Sequence, residues 1–288
     1  MNGARRPSVA YLGPAGTFSE EALARAAGSD AFDPVPRPTV AEAAMAVARG
    51  EADRAFVPFE NSIEGTVRAT LDVLAFQAEQ TAIVGEFDHP IRHSLIAAGR
   101  RPMSEITAVL SHPQAIPQCM QFLARELPTA EVRPVSSTAE AVREVTASDE
   151  PWAALGTSRA AELYDAVELR QSVEDFADNV TRFVWLAPDS VVAEARDGGW
   201  KTSLVISELS DRPGALVELL DQFAARSVNL TRIESRPQRQ ALGRYLFFVD
   251  LEGALTDAAV AEALAGVRER AERVRVLGSF PVVQPGIP

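Results

Sequence analysis

Four short polar stretches of this sequence gather carboxylate, amide, hydroxyl and imidazole side chains of the kinds that bind ligands and move protons, and each lies at one end of an apolar run. In YLGPAGTFSEEA, Gly13 and Gly16 allow a tight turn, and Thr17 and Ser19 stand where a helix start leaves backbone N–H groups free for a carboxylate or phosphate. The plainer reading is a connector capped by Ser19. It is not a P-loop, because no Gly-Lys-Ser/Thr follows, and the three-glycine dinucleotide spacing is absent. In VPFENSIEGTV, the Glu60, Asn61, Ser62, Gly65 and Thr66 set puts a carboxylate, an amide and a hydroxyl at a strand tip, where α/β proteins bind ligands. Thr66 could instead be merely a helix cap. In LSHPQAIPQC, Ser111 and Gln114 rank above His112, because a lone His before Pro is commonly a turn residue. In DNVTRFVWLAP, Asn179, Thr181 and Arg182 open a strand whose Phe183 and Trp185 face either pocket or core.

The elements that must hold these stretches follow from periodicity. SVAYLG reads as a strand, SEEALARAAG as a helix ending at Gly28, and residues 39–50 as a helix capped by Thr39. Strands then follow at Arg54–Pro58, AIVGEF and HSLIAA, helices at Pro117–Glu126 and Thr138–Thr146, and a strand at PWAALG. Such alternation predicts an α/β fold with mostly parallel sheets and loops gathered at strand ends. Asp, Gly and Pro break the pattern between Ala187 and Lys201, which marks a domain boundary. Beyond it the order is strand Thr202–Glu208, helix Pro213–Arg226, strands Leu230–Arg236 and Arg244–Leu251, helix Asp257–Arg268 and strand Val274–Phe280. That order is the ferredoxin-like βαββαβ arrangement. Ala215, Leu216, Leu219, Leu220 and Phe223 form the stripe that packs on the sheet.

Composition narrows the function. The 288 residues are 47% hydrophobic and 24% charged, typical of a globular protein with about two domains. A net charge of −12 argues against nucleic-acid and anionic-membrane binding, which require clustered cations. No apolar run approaches the roughly 20 residues that span a bilayer, and the start lacks the apolar core of a signal peptide. Cys119 is the sole cysteine, so no internal disulfide forms. The expected location is the cytoplasm, which removes glycosylation as the meaning of the Asn179-Val180-Thr181 and Asn229-Leu230-Thr231 patterns. His89, His93 and His112 lack metal-ligand spacing, so no metal site is expected.

Taken together, GPAGTFSEEA, PFENSIEGTV, HSL, SHPQAIPQC, SSTAEAV, AALGTSRAAELY and NVTRF occur in the order and rough spacing that resemble the prephenate dehydratases. LSDRPGALVELL and NLTRIESRP resemble the ACT regulatory domain of the same enzymes, so the likeness covers nearly the whole chain. The resemblance implies a two-lobed, periplasmic-binding-protein-like catalytic domain over residues 1–188, with one lobe of residues 1–80 plus 170–188 and a second of 83–169. A ferredoxin-like ACT domain over 200–281 would follow. The implied reaction converts prephenate to phenylpyruvate with loss of water and carbon dioxide, in phenylalanine synthesis, without metal, redox cofactor or covalent intermediate.

By the same resemblance Thr181 is the essential hydroxyl near the leaving group. A threonine is a weak acid, so it positions or relays the proton, and Glu60 is the nearest true acid, with Asn61 beside it. Thr17, Ser62, Ser111, Gln114, Asn179, Arg182 and Phe183 are expected to contact substrate. Phenylalanine, as effector, would occupy a dimer-interface pocket lined by Gly214, Ala215, Leu216 and Val217 with Glu234, Ser235, Arg236 and Pro237, and Asn229 nearby. A homodimer or homotetramer is the implied assembly. Two further readings stay open: arogenate as the preferred substrate, and a non-catalytic sensor that captures an aromatic acid. No mutase-like helical segment of about 90 residues precedes Tyr11, so a bifunctional enzyme is not expected.

Overall fold

The computed structural model describes residues 5–28, 31–193, 198–209, 212–238 and 244–282. Residues 194–197 of the expected boundary, and Ser210 and Asp211 of LSDRPGALVELL, lie outside the described residues. The chain forms two compact units. One takes the residues up to Leu71 together with Phe87–Phe183; the other takes Asp72–Glu86 together with the residues from Val184 on.

The elements follow in chain order. The first group is β1 (Ser8–Leu12), α1 (Phe18–Ala27), β2 (Asp33–Arg37), α2 (Val40–Ala48), β3 (Arg54–Asn61), β4 (Gly65–Thr66), α3 (Arg68–Phe76) and β5 (Thr81–Pro90). Next come β6 (Ser94–Ala97), β7 (Ala108–Ser111), α4 (Met120–Glu126), β8 (Glu131–Pro134), α5 (Thr138–Thr146), β9 (Trp152–Gly156), α6 (Ser158–Leu163), β10 (Val167–Arg170) and β11 (Val180–Pro188). The last group is β12 (Trp200–Leu209), α7 (Ala215–Ala224), β13 (Leu230–Pro237), β14 (Tyr245–Glu252), α8 (Ala258–Arg268) and β15 (Ala271–Pro281).

Three sheets result. The first runs β2-β1-β3-β11-β5, with β4 hairpinned onto β3, and the pairs β1–β2 and β1–β3 are parallel. The second runs β10-β6-β9-β7-β8. Its β7–β8 and β7–β9 pairs are parallel, whereas β6 lies antiparallel to both β9 and β10. The expectation of mostly parallel sheets therefore fails around β6. Alternating polarity reports which face of a strand is buried, not which way it runs between its neighbours. The third sheet, β13-β14-β12-β15, is antiparallel throughout and has the ferredoxin-like strand order.

Local signals explain the helix starts. Thr39 and Ser137 are extended residues whose hydroxyls accept the N–H of Glu42 and Glu140, capping α2 and α5 and contributing about 1 kcal/mol each. Ser19, expected to cap α1, lies buried within it; the cap position belongs to Thr17, whose hydroxyl donates to the carbonyls of Leu12 and Pro14 instead. Two apolar clusters flank the second sheet, one around Val109, Leu123 and Leu155, the other around Leu110, Val142 and Ala160. In the second unit Leu219 and Phe223 of the expected α7 stripe bury against Leu204, Ile206 and Val249, with Leu220 partly buried beside them.

Candidate active site

A cleft of about 1050 Å³ opens within the first unit, and its walls come from both of that unit's sheets. From the first sheet come the turn after β1, Asn61 at the end of β3, Thr66 on β4, and Thr181 and Phe183 on β11. From the second come His112, Gln114 and Gln118 after β7, and Ser136, Ser137 and Thr138 between β8 and α5. Helices α1 and α5 thus both begin at the cleft, where unsatisfied first-turn N–H groups and partial positive charge favour an anion.

One polar chain orders the floor. The side-chain carbonyl of Asn61 accepts the backbone N–H groups of Ile63 and Glu64, both at 2.9 Å. Those two donors fix which end of the amide is oxygen, so the NH₂ group must face the other way. It donates to Asn179 Oδ1 at 2.7 Å and to Thr181 Oγ1 at 2.8 Å. Because the Thr181 oxygen accepts from Asn61, its own hydrogen stays available to a group in the cleft that Thr181 lines. Asn179 then donates to Gln118 Oε1 at 2.8 Å, and His93 Nε2 lies 3.2 Å from the same oxygen. Burial lowers the His93 pKa, against the opposing pull of Gln118 and Glu174, so the ring is neutral and carries its hydrogen on Nε2 toward Gln118.

The residues named from sequence divide into those this cleft gathers and those it does not. Asn61, Thr17, Gln114, Asn179, Thr181 and Phe183 line it. Phe183 answers to both pocket and core: it is fully buried, stacks on Phe56 at 4.9 Å, and shows an edge to the cleft. Ser111 is buried with its hydroxyl on the Leu155 carbonyl at 2.9 Å, joining β7 to β9 outside the cleft lining. Ser62 accepts the Val180 N–H at 3.0 Å and ties β3 to β11. Glu60 and Arg182 pair with each other at 3.0 Å, and Arg182 lies over the Phe59 ring; neither lines the cleft. Period-2 geometry is the reason for Arg182: its neighbours Thr181 and Phe183 take the cleft face of β11, which sends Arg182 to the other. Burial lowers the pKa of His112, whose Nδ1 accepts the Gln114 N–H at 3.2 Å.

Sequence reasoning passed over Gln118, His93, Ser136, Ser137, Thr138 and Arg68, all of which line the cleft. Gln118 stood inside SHPQAIPQC, and Ser136, Ser137 and Thr138 inside SSTAEAV; neither pattern tells which residue of a motif faces inward. Arg68 is exposed and meets no acidic partner among the described residues.

In the second unit, Gly214 caps α7 in the left-handed region at φ 86°, a conformation that favours glycine. Ala215 is buried, Leu216 half-buried and Val217 exposed. Asn229 is exposed just before the sheet-edge strand β13, on which Glu234 and Arg236 are half-buried and Ser235 and Pro237 exposed. Arg236 holds both carboxylate oxygens of Asp72, at 2.7 and 2.9 Å.

Residues 9–191 match the family described as prephenate dehydratase. The chain belongs to the prephenate dehydratase family. It is thus a lyase of that family, and residues 202–269 match the ACT domain. A prephenate dehydratase from Amycolatopsis methanolica is 42% identical over 272 residues, covering 94% of this chain and 88% of that one. A solved prephenate dehydratase from Arthrobacter aurescens, described in complex with L-Phe, is 40% identical with a TM-score of 0.88, covering 97% of this chain and 92% of that chain. A structure described as a novel type of quorum-quenching acylase is 27% identical with a TM-score of 0.86, covering 96% and 98%. Among the described residues no helix is long and apolar enough to cross a membrane, and no group of three or more His, Cys, Asp and Glu could hold a metal ion.

Proposed function

We propose that this chain converts prephenate to phenylpyruvate and that phenylalanine restrains it through the C-terminal ACT domain. Residues 1–188 would form the catalytic part, with its two sheets as lobes, and 200–281 the regulatory part. The observation that carries the reading is the Asn61–Thr181 hydrogen bond, which leaves the Thr181 hydroxyl hydrogen free in a cleft where two helices begin. Similarity of fold alone would not suffice, since a protein of the same fold is described as an acylase.

In the reaction the bond between the ring and its carboxylate breaks, and its electron pair enters the ring. The C4–O bond breaks with its pair on oxygen, and the departing hydroxide takes a proton to become water. The carboxylates are held by the starts of α1 and α5 and the hydroxyls of Ser137 and Thr138, while the Thr17 hydroxyl, given to the Leu12 and Pro14 carbonyls, holds the turn that begins α1. Thr181 hands its hydrogen to the leaving oxygen, the Asn61 NH₂ steadies the charge developing on Thr181, and solvent in the open cleft restores the proton. Glu60 contributes from outside the cleft: paired with Thr66 across the β3–β4 hairpin and with Arg182, it steadies the strand end that presents Asn61.

The phenylalanine site would use Gly214 to Val217 and Asn229 with Glu234 to Pro237, completed by a second copy in a dimer or tetramer in the cytoplasm. The solved relative described with L-Phe supports this assignment. The test measures phenylpyruvate formation by the wild type and by Thr181→Ala, each with and without phenylalanine. Abolished turnover in the variant and suppression of the wild type support both halves. Wild-type turnover indifferent to phenylalanine removes the regulatory half alone. A folded wild type inactive on prephenate but active on arogenate changes the substrate.

A further inference from the structure

The two walls of the cleft meet without a covalent link at one seam, and neither side of that seam touches the cleft. On one side is Gly16, inside the turn whose Gly13, Pro14, Ala15, Thr17, Phe18 and Ser19 all line the cleft. On the other is Thr157, the fully buried residue that begins α6 next to the second sheet. Thr157 Oγ1 accepts the Ala160 N–H at 2.9 Å and donates its single hydrogen to the Gly16 carbonyl at 2.7 Å, across 141 residues of sequence. Gly16 sits at φ 84°, and a Cβ there would lie 3.2 Å from Ala160 Cβ and 3.4 Å from Ala139 Cβ. A second tie runs beside it: Glu20 accepts the Gly16 N–H and faces Arg159 at 3.5 Å.

We propose that Thr157 is a positioning residue for the reaction, its hydroxyl setting the spacing of the two cleft walls by anchoring Gly16. The chemistry of both partners is restrictive. Only a hydroxyl can accept from Ala160 and donate to Gly16 at once, so serine can replace threonine and the near-isosteric valine cannot. Opposite it, φ 84° strains any side chain but glycine, and a Cβ would press on Ala160 and Ala139. Because the turn is tied at Gly16, displacing that residue carries Thr17 and the start of α1 with it, away from the Thr138 side. Substrate held between the walls then loses alignment with Thr181, and misplacement of about 1 Å costs up to roughly 100-fold in rate.

The inference rests on the cleft being the active site, so Thr181→Ala is measured alongside and reports on that premise separately. Steady-state kcat and KM for prephenate, per folded molecule judged by thermal melting, are compared for wild type, Thr157→Val, Thr157→Ser and Gly16→Ala. The expected result is a kcat reduced roughly 10- to 100-fold in Thr157→Val, recovery in Thr157→Ser to within about threefold, and a loss in Gly16→Ala with the Thr157 hydroxyl intact. A purely structural Thr157 would lower the melting temperature and leave kcat per folded molecule unchanged, which overturns the proposal. If Thr157→Val does not fold, the other two variants decide: wild-type kcat in Gly16→Ala, or low kcat in folded Thr157→Ser, overturns it. Full activity in Thr181→Ala removes the premise, and the proposal with it.

Discussion

Replacing Asn61 by Asp tests the central geometric argument with one atom. The side-chain oxygen that accepts from Ile63 and Glu64 is retained, and both bonds become charge-assisted, so the turn keeps its shape. The NH₂ group becomes a carboxylate oxygen facing Thr181 Oγ1 at 2.8 Å and Asn179 Oδ1 at 2.7 Å. Thr181 must then donate its hydrogen to that carboxylate, reversing the bond and withdrawing the hydrogen from the cleft. The loss combines the donor to the leaving oxygen and the support for charge on Thr181. Removing one such donor from a catalytic site costs about 3–4 kcal/mol, or 100- to 1000-fold in kcat. A negative charge beside a dianionic substrate also raises KM. Initial rates of phenylpyruvate formation, with thermal melting to confirm folding, measure the effect, and Asn61→Ala provides the comparison. Without a carboxylate to bind, Thr181 regains its freedom to donate, so Asn61→Ala should retain more activity than Asn61→Asp. If Asn61→Asp turns over within a few-fold of wild type, the hydrogen of Thr181 is not directed as argued.

Two other predictions concern stability. His89 is buried between Phe87 and Phe183, with neither ring nitrogen meeting a partner among the described residues, and burial, with some repulsion from Arg25, lowers its pKa to about 4. The unfolded chain therefore binds a proton below about pH 6.5 that the folded chain refuses, so stability falls by up to roughly 3 kcal/mol as pH drops from 6.5 toward 4. Glu21, raised to about 7 chiefly by burial, acts in the opposite sense, stabilising below about pH 4.5 and losing that contribution as pH rises through 7. Urea midpoints at pH 5 and 7.5 for wild type and His89→Phe separate the two effects: the variant should gain relative to wild type at the lower pH, and a pH-independent difference would contradict the assignment. In the second unit, a Cβ on Gly278 would lie 2.1 Å from the backbone oxygen of Ile83, with no flexible side chain to give way. Gly278→Ala should lose about 2–3 kcal/mol, or roughly 4–10 °C in Tm, and an unchanged melting temperature would disprove the contact.

Elements were legible where local chemistry decides them. Thr138–Thr146 emerges as a helix with the bounds read from sequence, because Ser137 supplies a cap and Ala139, Val142 and Val145 a buried stripe. The ferredoxin-like order of the C-terminal sheet followed from counting strands and helices. Direction and facing were less accessible. Nothing in HSLIAA states that β6 runs against both its neighbours, and nothing in VTRF distinguishes the face of Thr181 from that of Arg182 until the burial of the sheet is known.

The sequence by itself determined the family and the chemical kinds gathered for the site, since motifs of fixed residue type in fixed order are a property of the chain. Which members of those motifs meet was decided by tertiary structure. Asn61 finds Thr181 across 120 residues, Gln118 finds Asn179 across 61, and Thr157 finds Gly16 across 141. Glu60 and Arg182, equally polar and equally close to those motifs, turn to each other instead. The physical reason is that a hydrogen bond depends on distance and direction to within tenths of an ångström, and those are set only when the sheets pack.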